Sequence, residues 1–420
     1  MPRARPPRRR AALLGAASAL ALAVAGCTAS PMPAPTPTPG KTVAPSGDGV
    51  LRIGTLFPTT GSSAALGAAQ VAGVNAAVRE INATGGVLGA PVDVVNRDSG
   101  DASSEIAKAS FAALVEKGVD VVIGPSSSVL VERLLPLAIE AGVPLISPAA
   151  TSVLTGAEAD GFFARTVPAY PLQGTALGEL LTSEGADRVA LIVGSDEDSM
   201  SIIAPLTDAL AESGGELVAT VTATNPADAA SAVAAVSKEK PDAVVLATAD
   251  DGEATRSLVS GLAEEGYGGE RLWLTSRNLV DYGQALAVGV LEKANGIREG
   301  VRPDDAFIAK LRVEDPGLSE TRYAAEAYDA TVIAALAAIV ARDDGGPSIA
   351  WKLGGVTREG IPCTSFGACV DVLASEPDIA YAGIVGALRL DAAGDPTVAR
   401  YEVYRYGPDN TAGYAASVGG

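Results

Sequence analysis

From Val50 onward, short β-branched apolar runs alternate with longer segments whose apolar residues recur every three or four positions, and this alternation restricts the fold more than any other feature. Residues 51–57 read as a strand, and 67–83 as a helix with Val71, Val74, Val78 and Ile81 on one face. Strands at 92–96, 119–123 and 143–146 alternate with helices at 105–116 and 128–140. After 162–167 the series restarts, with helices at 172–183, 201–212, 227–240 and 253–265 between strands at 188–193, 217–221, 243–247 and 272–274. Alternating βα units build parallel sheets covered by helices on both faces, so two series predict an α/β protein with two doubly wound parallel-sheet lobes. A third section, from about Val301, offers one long helix at 321–341, with Tyr328, Val332, Ala335 and Ile339 on one face, and too few strands for a domain. It is expected to complete the first lobe, with 401–406 then adding a strand to the second. The expected boundaries are 50–169 with 302–392 for lobe 1 and 170–301 with 393–416 for lobe 2, joined by a three-strand hinge. Ligands of such open sheets sit beyond the carboxyl ends of the strands.

Ahead of this body, residues 1–10 carry five arginines and no acid, 11–25 form an apolar run, and Gly26-Cys27 follows: the three parts of a secretory signal. The run falls short of the ~20 residues that span a bilayer. Val24-Ala25-Gly26-Cys27 resembles the lipobox of bacterial lipoproteins, which implies cleavage before Cys27 and lipid on that cysteine. Residues 1–26 are thus read as a lipoprotein signal peptide. Residues 27–49, with Pro31, Pro33, Pro35, Pro37, Pro39 and Pro45, are read as a polyproline-type tether. The implied location is exported and lipid-anchored to the outer face of the cell membrane; Arg8-Arg9-Arg10 leaves the general secretory and twin-arginine routes both open. Cys363 and Cys369, the two cysteines that remain, are expected to form a disulfide in an oxidising compartment.

The chain has no histidine, which removes Ser-His-Asp and Cys-His catalysis, histidine-bound zinc and histidine pH switching. No Gly-x-Ser-x-Gly elbow, Walker loop or Gly-x-Gly-x-x-Gly after a strand is present, so neither an enzyme nor a cofactor is expected. Two cysteines without histidine would leave a metal site half empty, and no metal is expected. The net charge of −19 opposes nucleic acid, and removing the five signal arginines makes the exported part more acidic still. With only ten Tyr, six Phe and two Trp, the chain is poor in the stacking rings that sugar sites use.

Two loops at strand ends suggest a ligand: Gly124-Pro125-Ser126-Ser127-Ser128 and Ser147-Pro148-Ala149-Ala150-Thr151. The first runs into a helix amino terminus, where free N–H groups and the helix dipole favour an anion such as a carboxylate. Ser126 and Ser127 are read as helix caps instead. Tyr170 falls at the expected hinge, with ligand contact and hinge packing both open.

These features are embedded in an ordered set: Ile53-Gly54 with Pro58-Thr-Thr-Gly61, Gly67 before Ala72-Gly73, Glu80-Ile-Asn82 with Gly85-Gly86, Val122-Ile-Gly-Pro125, Arg165-Thr166 with Gln173-Gly174, and Tyr328-Asp329-Ala330. Over residues 50–410 the chain resembles the type I periplasmic binding proteins of the leucine/isoleucine/valine-binding class. The resemblance implies that a ligand carboxylate is held by Ser128, the backbone of Ala149, and Thr151. It also exposes departures. Leu66 stands where an aromatic often closes over the ligand, and Ala249 where a tyrosine is expected. The acid that receives a ligand ammonium maps to Ser276 or Arg277, and a guanidinium does not pair with an ammonium. Either Asp250, Asp251 or Asp281 compensates, or Arg277 takes a second ligand carboxylate, or Arg277 is paired at the surface.

The resemblance implies a monomeric, lipid-anchored solute-binding subunit of an ABC importer. It would bind a small carboxylate-bearing solute, most simply a branched-chain or other amino acid, by hinge closure and then meet membrane permease subunits. A ligand-sensing lipoprotein, or an importer subunit for an amide, dicarboxylate or aromatic acid, is the alternative.

Overall fold

In the first lobe the strands β1 (Arg52–Phe57), β2 (Asp93–Asp98), β3 (Val121–Ile123), β4 (Leu145–Ser147) and β5 (Phe163–Arg165) form one parallel sheet in the order β2-β1-β3-β4-β5. The computed structural model describes residues 43–61, 63–102, 105–154, 159–358 and 360–419; the signal peptide, Cys27 and the tether through residue 42 lie outside them. Helices α1 (Ala64–Ala83), α2 (Ile106–Glu116) and α3 (Ser128–Ala141) follow β1, β2 and β3. The strand alternation distributes the core. Ile53, Phe57, Val121, Ile123 and Ile146 point to the α1 side, while Leu56, Val122 and Leu145 pack under α2 and α3.

The second lobe contains α4 (Leu172–Ser183), β6 (Arg188–Val193), α5 (Glu197–Ser201), α6 (Ile203–Glu212), β7 (Glu216–Thr222), α7 (Ala229–Lys238), β8 (Ala243–Ala247), α8 (Glu253–Glu264), β9 (Leu272–Leu274) and β10 (Asn295–Glu299). The chain then returns to the first lobe through α9 (Asp305–Glu314), α10 (Ala324–Ala341), α11 (Gly346–Lys352), α12 (Gly355–Arg358), β11 (Ile361–Cys363), α13 (Phe366–Leu373), β12 (Ile379–Gly383) and β13 (Gly386–Ala387). It ends in β14 (Arg400–Tyr406) and β15 (Ala412–Gly419). The second sheet runs β15-β14-β10-β9-β8-β6-β7, with β14 and β15 antiparallel additions to a parallel centre. Val189, Leu191 and Val193 face α4 and α6; Ala190 and Ile192 face α7 and α8.

The α/β class with two sheets stands, and four details differ from the sequence expectation. Strand β10 was missed because Asn295 and Gly296 interrupt its apolar pattern and Arg298-Glu299 close it. The return section carries a small sheet, β11-β12-β13, whose Ile379 and Tyr381 join the lobe 1 core. Helix α10 is buried on every side from Ala324 to Ala338, because α1 covers one side and α11 to α13 the other. A Cβ on Gly73 of α1 would lie 2.2 Å from the Ala324 carbonyl, so the two helices meet backbone to backbone there. Among the described residues α10 is the one helix long and apolar enough to cross a membrane, and its burial marks it as a core helix. Finally, residues 394–395 stay with the first lobe: Arg165 N donates to Gly394 O, and Asp395 pairs with Arg165, which moves the third crossing past residue 393.

The last residues of the expected tether touch the body. Ser46 N and Gly47 N donate to Asp343 at 3.2 and 2.9 Å, and Gly49 N donates to Asp344 at 3.1 Å, so the chain is fastened to the first lobe from Ser46. Cys363 and Cys369 are joined by a disulfide between β11 and α13.

Burial also raises several carboxyls. Glu326 on α10 is pushed up to about 8, Asp120 to about 7 and Asp329 to about 6, in each case chiefly by desolvation. The folded protein keeps protons that the unfolded chain loses above pH ~4 to 4.5, so stability is greatest near the unfolded values and falls as pH rises toward 8. The melting temperature is expected to drop by several degrees between pH 5 and pH 8. Glu326→Gln should flatten that slope, and an unchanged slope in the variant would assign it to other groups.

Candidate functional site

Residues that follow the carboxyl ends of β4, β6 and β9 meet where the two lobes face each other, and the lobe 1 side is built from two short loops. In the loop after β3, Gly124 has φ of 109°, and a Cβ there would meet the Leu56 carbonyl at 2.5 Å, so only glycine fits this turn. Ser126 Oγ donates to Gln70 Oε1 at 2.7 Å, and Ser127 occupies the N-cap position of α3 without a side-chain cap bond. Ser127 thus stands at the cap position that the sequence suggested, without the side-chain bond, while Ser126 is spent on Gln70. Ser128 is half-buried at the first turn of α3, with Glu132 one turn further along the helix.

The loop after β4 is locked to the first by Ser147, whose Oγ donates to Pro125 O at 2.5 Å and accepts from Ala149 N at 3.0 Å. Ala149 is 1% exposed, and its N–H is thereby taken up inside the lobe. Beneath the loop lies Arg165, fully buried, with Nη1 donating to Thr151 O at 2.6 Å and Nε 2.6 Å from Asp395 Oδ1. One guanidinium thus fixes the carbonyl of Thr151 and ties the loop to the returning chain.

From lobe 2 the facing group is Asp198, on the short helix α5 after β6. Its Oδ1 accepts from Ser152 N and Ser152 Oγ, both at 2.7 Å, and lies 3.4 Å from Thr151 Oγ1. Thr151 Oγ1 is also 3.2 Å from Glu132 Oε1. Arg277, after β9, places Nη1 2.5 Å from Asp196 Oδ1 and 3.7 Å from Asp198 Oδ2, with its guanidinium carbon 5.8 Å from the centre of the Tyr170 ring. Burial alone would raise the Asp196 carboxyl, but hydrogen bonds from Ser199 and Arg277 outweigh it and hold the group below its usual range. Burial likewise opposes the charge of Arg277, and Asp196 more than restores it.

Tyr170 is buried at the hinge: its N–H donates to Ala150 O at 2.6 Å, and its Oη donates to Thr275 Oγ1 at 2.8 Å. Gln173 joins the same layer, with Nε2 donating to Ser276 Oγ and Oε1 accepting from Ser276 N. Tyr170 thus serves hinge packing and also stands beside Arg277.

The structure brings Thr151, Tyr170 and Arg277 together, with Ser128 at the start of the helix that carries Glu132. Leu66 is half-buried in the first turns of α1. Ala249 and Asp250 are exposed in the loop after β8, where the Asp250 carboxylate accepts from Gly252 N. Asp281 is exposed and accepts from Gly283 N. Neither carboxylate has a bond to Arg277, and the acid beside that guanidinium is Asp196. Asp196, Asp198, Ser152 and Glu132 were not singled out from sequence, where Asp196-Glu-Asp198 reads as a solvated acidic loop. The available signal was its position directly after β6, at the edge where such sheets bind ligands.

A family model described as periplasmic binding protein matches residues 50–362, and the chain belongs to this family. Periplasmic binding proteins are exported proteins that bind solutes. Among curated relatives, the chain is 27% identical over 370 residues to a chemotactic signal transduction system substrate-binding protein of Halobacterium salinarum, covering 82% of this chain and 84% of that one. It is 27% identical over 179 residues to a leucine-, isoleucine-, valine-, threonine- and alanine-binding protein of Pseudomonas aeruginosa, covering 42% and 48% respectively. Among solved structures, a substrate-binding protein of Desulfitobacterium hafniense in complex with Leu superposes with a TM-score of 0.65 at 19% identity, covering 87% of this chain and all of that one. A solute-binding protein of R. palustris in complex with benzoate gives 0.57 at 19% identity, covering 88% and 96%.

Arg165→Met leaves Asp395 buried without its partner and should cost about 3–5 kcal/mol in denaturant unfolding. The double variant Arg165→Met with Asp395→Leu should recover much of that loss. Equal destabilisation of single and double variants would show that Asp395 is not the partner that matters.

Proposed function

We propose that the chain is the solute-binding subunit of an ABC importer, anchored through lipidated Cys27 to the outer face of the cell membrane. It receives a small carboxylate-bearing solute, a branched-chain or other amino acid, between its lobes. The observation that carries this reading is that the Ser152 N–H and Oγ, with Thr151 Oγ1 behind them, already receive a carboxylate, that of Asp198. A solute carboxylate entering the open cleft meets the same donors, and Ser128 on the adjoining helix turn adds a hydroxyl close to free helix N–H groups. Hinge closure then brings lobe 2 onto the solute and presents the closed form to a permease.

A sensing role draws on one observation, the similarity along most of its length to a chemotactic substrate-binding protein. The same closure would then be read by a membrane receptor. Deleting the gene separates the roles: lost uptake of the solute supports import, and intact uptake with a lost response supports sensing.

A thermal-shift screen of amino acids, dicarboxylates, amides and aromatic acids identifies the solute, since a ligand of the native state raises the melting temperature. Ser128→Ala combined with Thr151→Ala should weaken its binding by about a hundredfold or more, with the fold retained by circular dichroism. Unchanged affinity removes these residues from the site. Cys27→Ser should shift the protein from the membrane fraction to the medium or periplasm.

A further inference from the structure

Resting on the carboxylate reading of the cleft, the charges that surround it assign one further role. Asp196 and Asp198 share one guanidinium, that of Arg277, and a third carboxylate, Glu132, meets Asp198 at the Thr151 hydroxyl. Asp196, at 2.5 Å, matches Arg277 within lobe 2. Asp198 instead reaches across the cleft and takes two hydrogen bonds from Ser152 of lobe 1, in the position where a solute carboxylate would be received. Two carboxylates do not share those donors, because each would lose its hydrogen bonds and repel the other. An arriving solute carboxylate therefore displaces Asp198, which is left one side-chain length from the solute and faces Glu132 across the cleft.

The displaced carboxylate needs a positive partner. Arg277 is one charge shared between Asp196 at 2.5 Å and Asp198 at 3.7 Å, and Asp250, Asp251 and Asp281 are acids, so none of the groups considered from sequence supplies a second positive charge. A second carboxylate or a plain acid on the solute would leave Asp198 and Glu132 facing uncompensated negative charge. An ammonium adjacent to the solute carboxylate supplies the missing charge in the place where Asp198 comes to rest.

We propose that Asp198 is an exchangeable group: it holds the Ser152 donors until a solute carboxylate takes them and then becomes the ammonium acceptor of the loaded protein. It thereby selects amine-bearing acids over plain acids. The acceptor thus sits after β6, not at the Arg277 position after β9.

The test is calorimetry with paired probes that differ in the amine alone: L-leucine and 4-methylpentanoate, L-alanine and propanoate, L-phenylalanine and 3-phenylpropanoate, L-glutamate and glutarate. Each is measured on the purified protein, on Asp198→Ala and on Asp198→Asn. In the unaltered protein the amine-bearing member of the preferred pair should bind about tenfold or more tightly than its partner. Asp198→Ala should weaken the amino acid about tenfold and strengthen the plain acid, because the cradle is vacated. Asp198→Asn keeps the shape of the side chain and should also lose the preference, since charge is what is read. Equal affinity within every pair, or a preference retained in both variants, overturns the proposal. A plain acid bound by the unaltered protein and lost in Thr151→Ala, with Asp198 indifferent, keeps the carboxylate site and rejects the exchange. Binding of amides or sugars alone, or of no probe by any of the three proteins, rejects the carboxylate reading and the exchange with it.

Discussion

The buried guanidinium of Arg165 is the contact on which the cleft depends. It is fully enclosed, it holds the Thr151 carbonyl at 2.6 Å, and its Nε meets Asp395 at 2.6 Å. Asp395 belongs to the last return of the chain, so one side chain joins the end of the lobe 1 sheet, the loop after β4, and the segment that next crosses to lobe 2. A buried pair of this kind is weak as a source of stability, since desolvation offsets most of its attraction. Its worth is geometric: the loop cannot shift without uncovering a charge.

Above that support, the cleft is assembled by division of labour between the lobes. Lobe 1 contributes donors in fixed positions: the Ser152 N–H, hydroxyls of Ser128, Thr151 and Ser152, and the loop cross-link through Ser147. Lobe 2 contributes charge, through Asp196, Asp198 and Arg277. Between them the hinge layer of Tyr170, Thr275, Gln173 and Ser276 is uncharged and fully hydrogen-bonded at the atoms that meet. Donors and charges therefore lie on opposite walls and meet only where the two lobes come together.

Much of the scaffold was legible in the sequence because fully buried parallel strands leave unambiguous runs. The strands 188–193, 243–247 and 272–274 and the helix 172–183 were placed to the residue. Strand β10 was not, because its polar residues are paired only in the tertiary structure: Asn295 accepts from Arg405 and Glu299 from Tyr323. For the same reason β11 to β13 were invisible, being two to five residues long and containing Pro362 and two glycines. At the candidate site, the family resemblance and spacing within one lobe pointed to Ser128 and Thr151. The role of Asp198 depends on a contact between residues 46 positions apart in different lobes, which no local pattern encodes. Arg277 was visible as an anomaly, and its resolution, a partner 81 positions earlier, was equally out of reach.

The fastening of residues 46–49 to Asp343 and Asp344 has a mechanical consequence. Residues 46–49 join the body on the first lobe, through three backbone N–H groups held by two carboxylates. Any restraint applied through that segment immobilises the first lobe and leaves the second as the swinging arm. Relative motion of the two lobes would then appear as travel of the lobe carrying Asp198 and Arg277, with the loops after β3 and β4 as the fixed jaw.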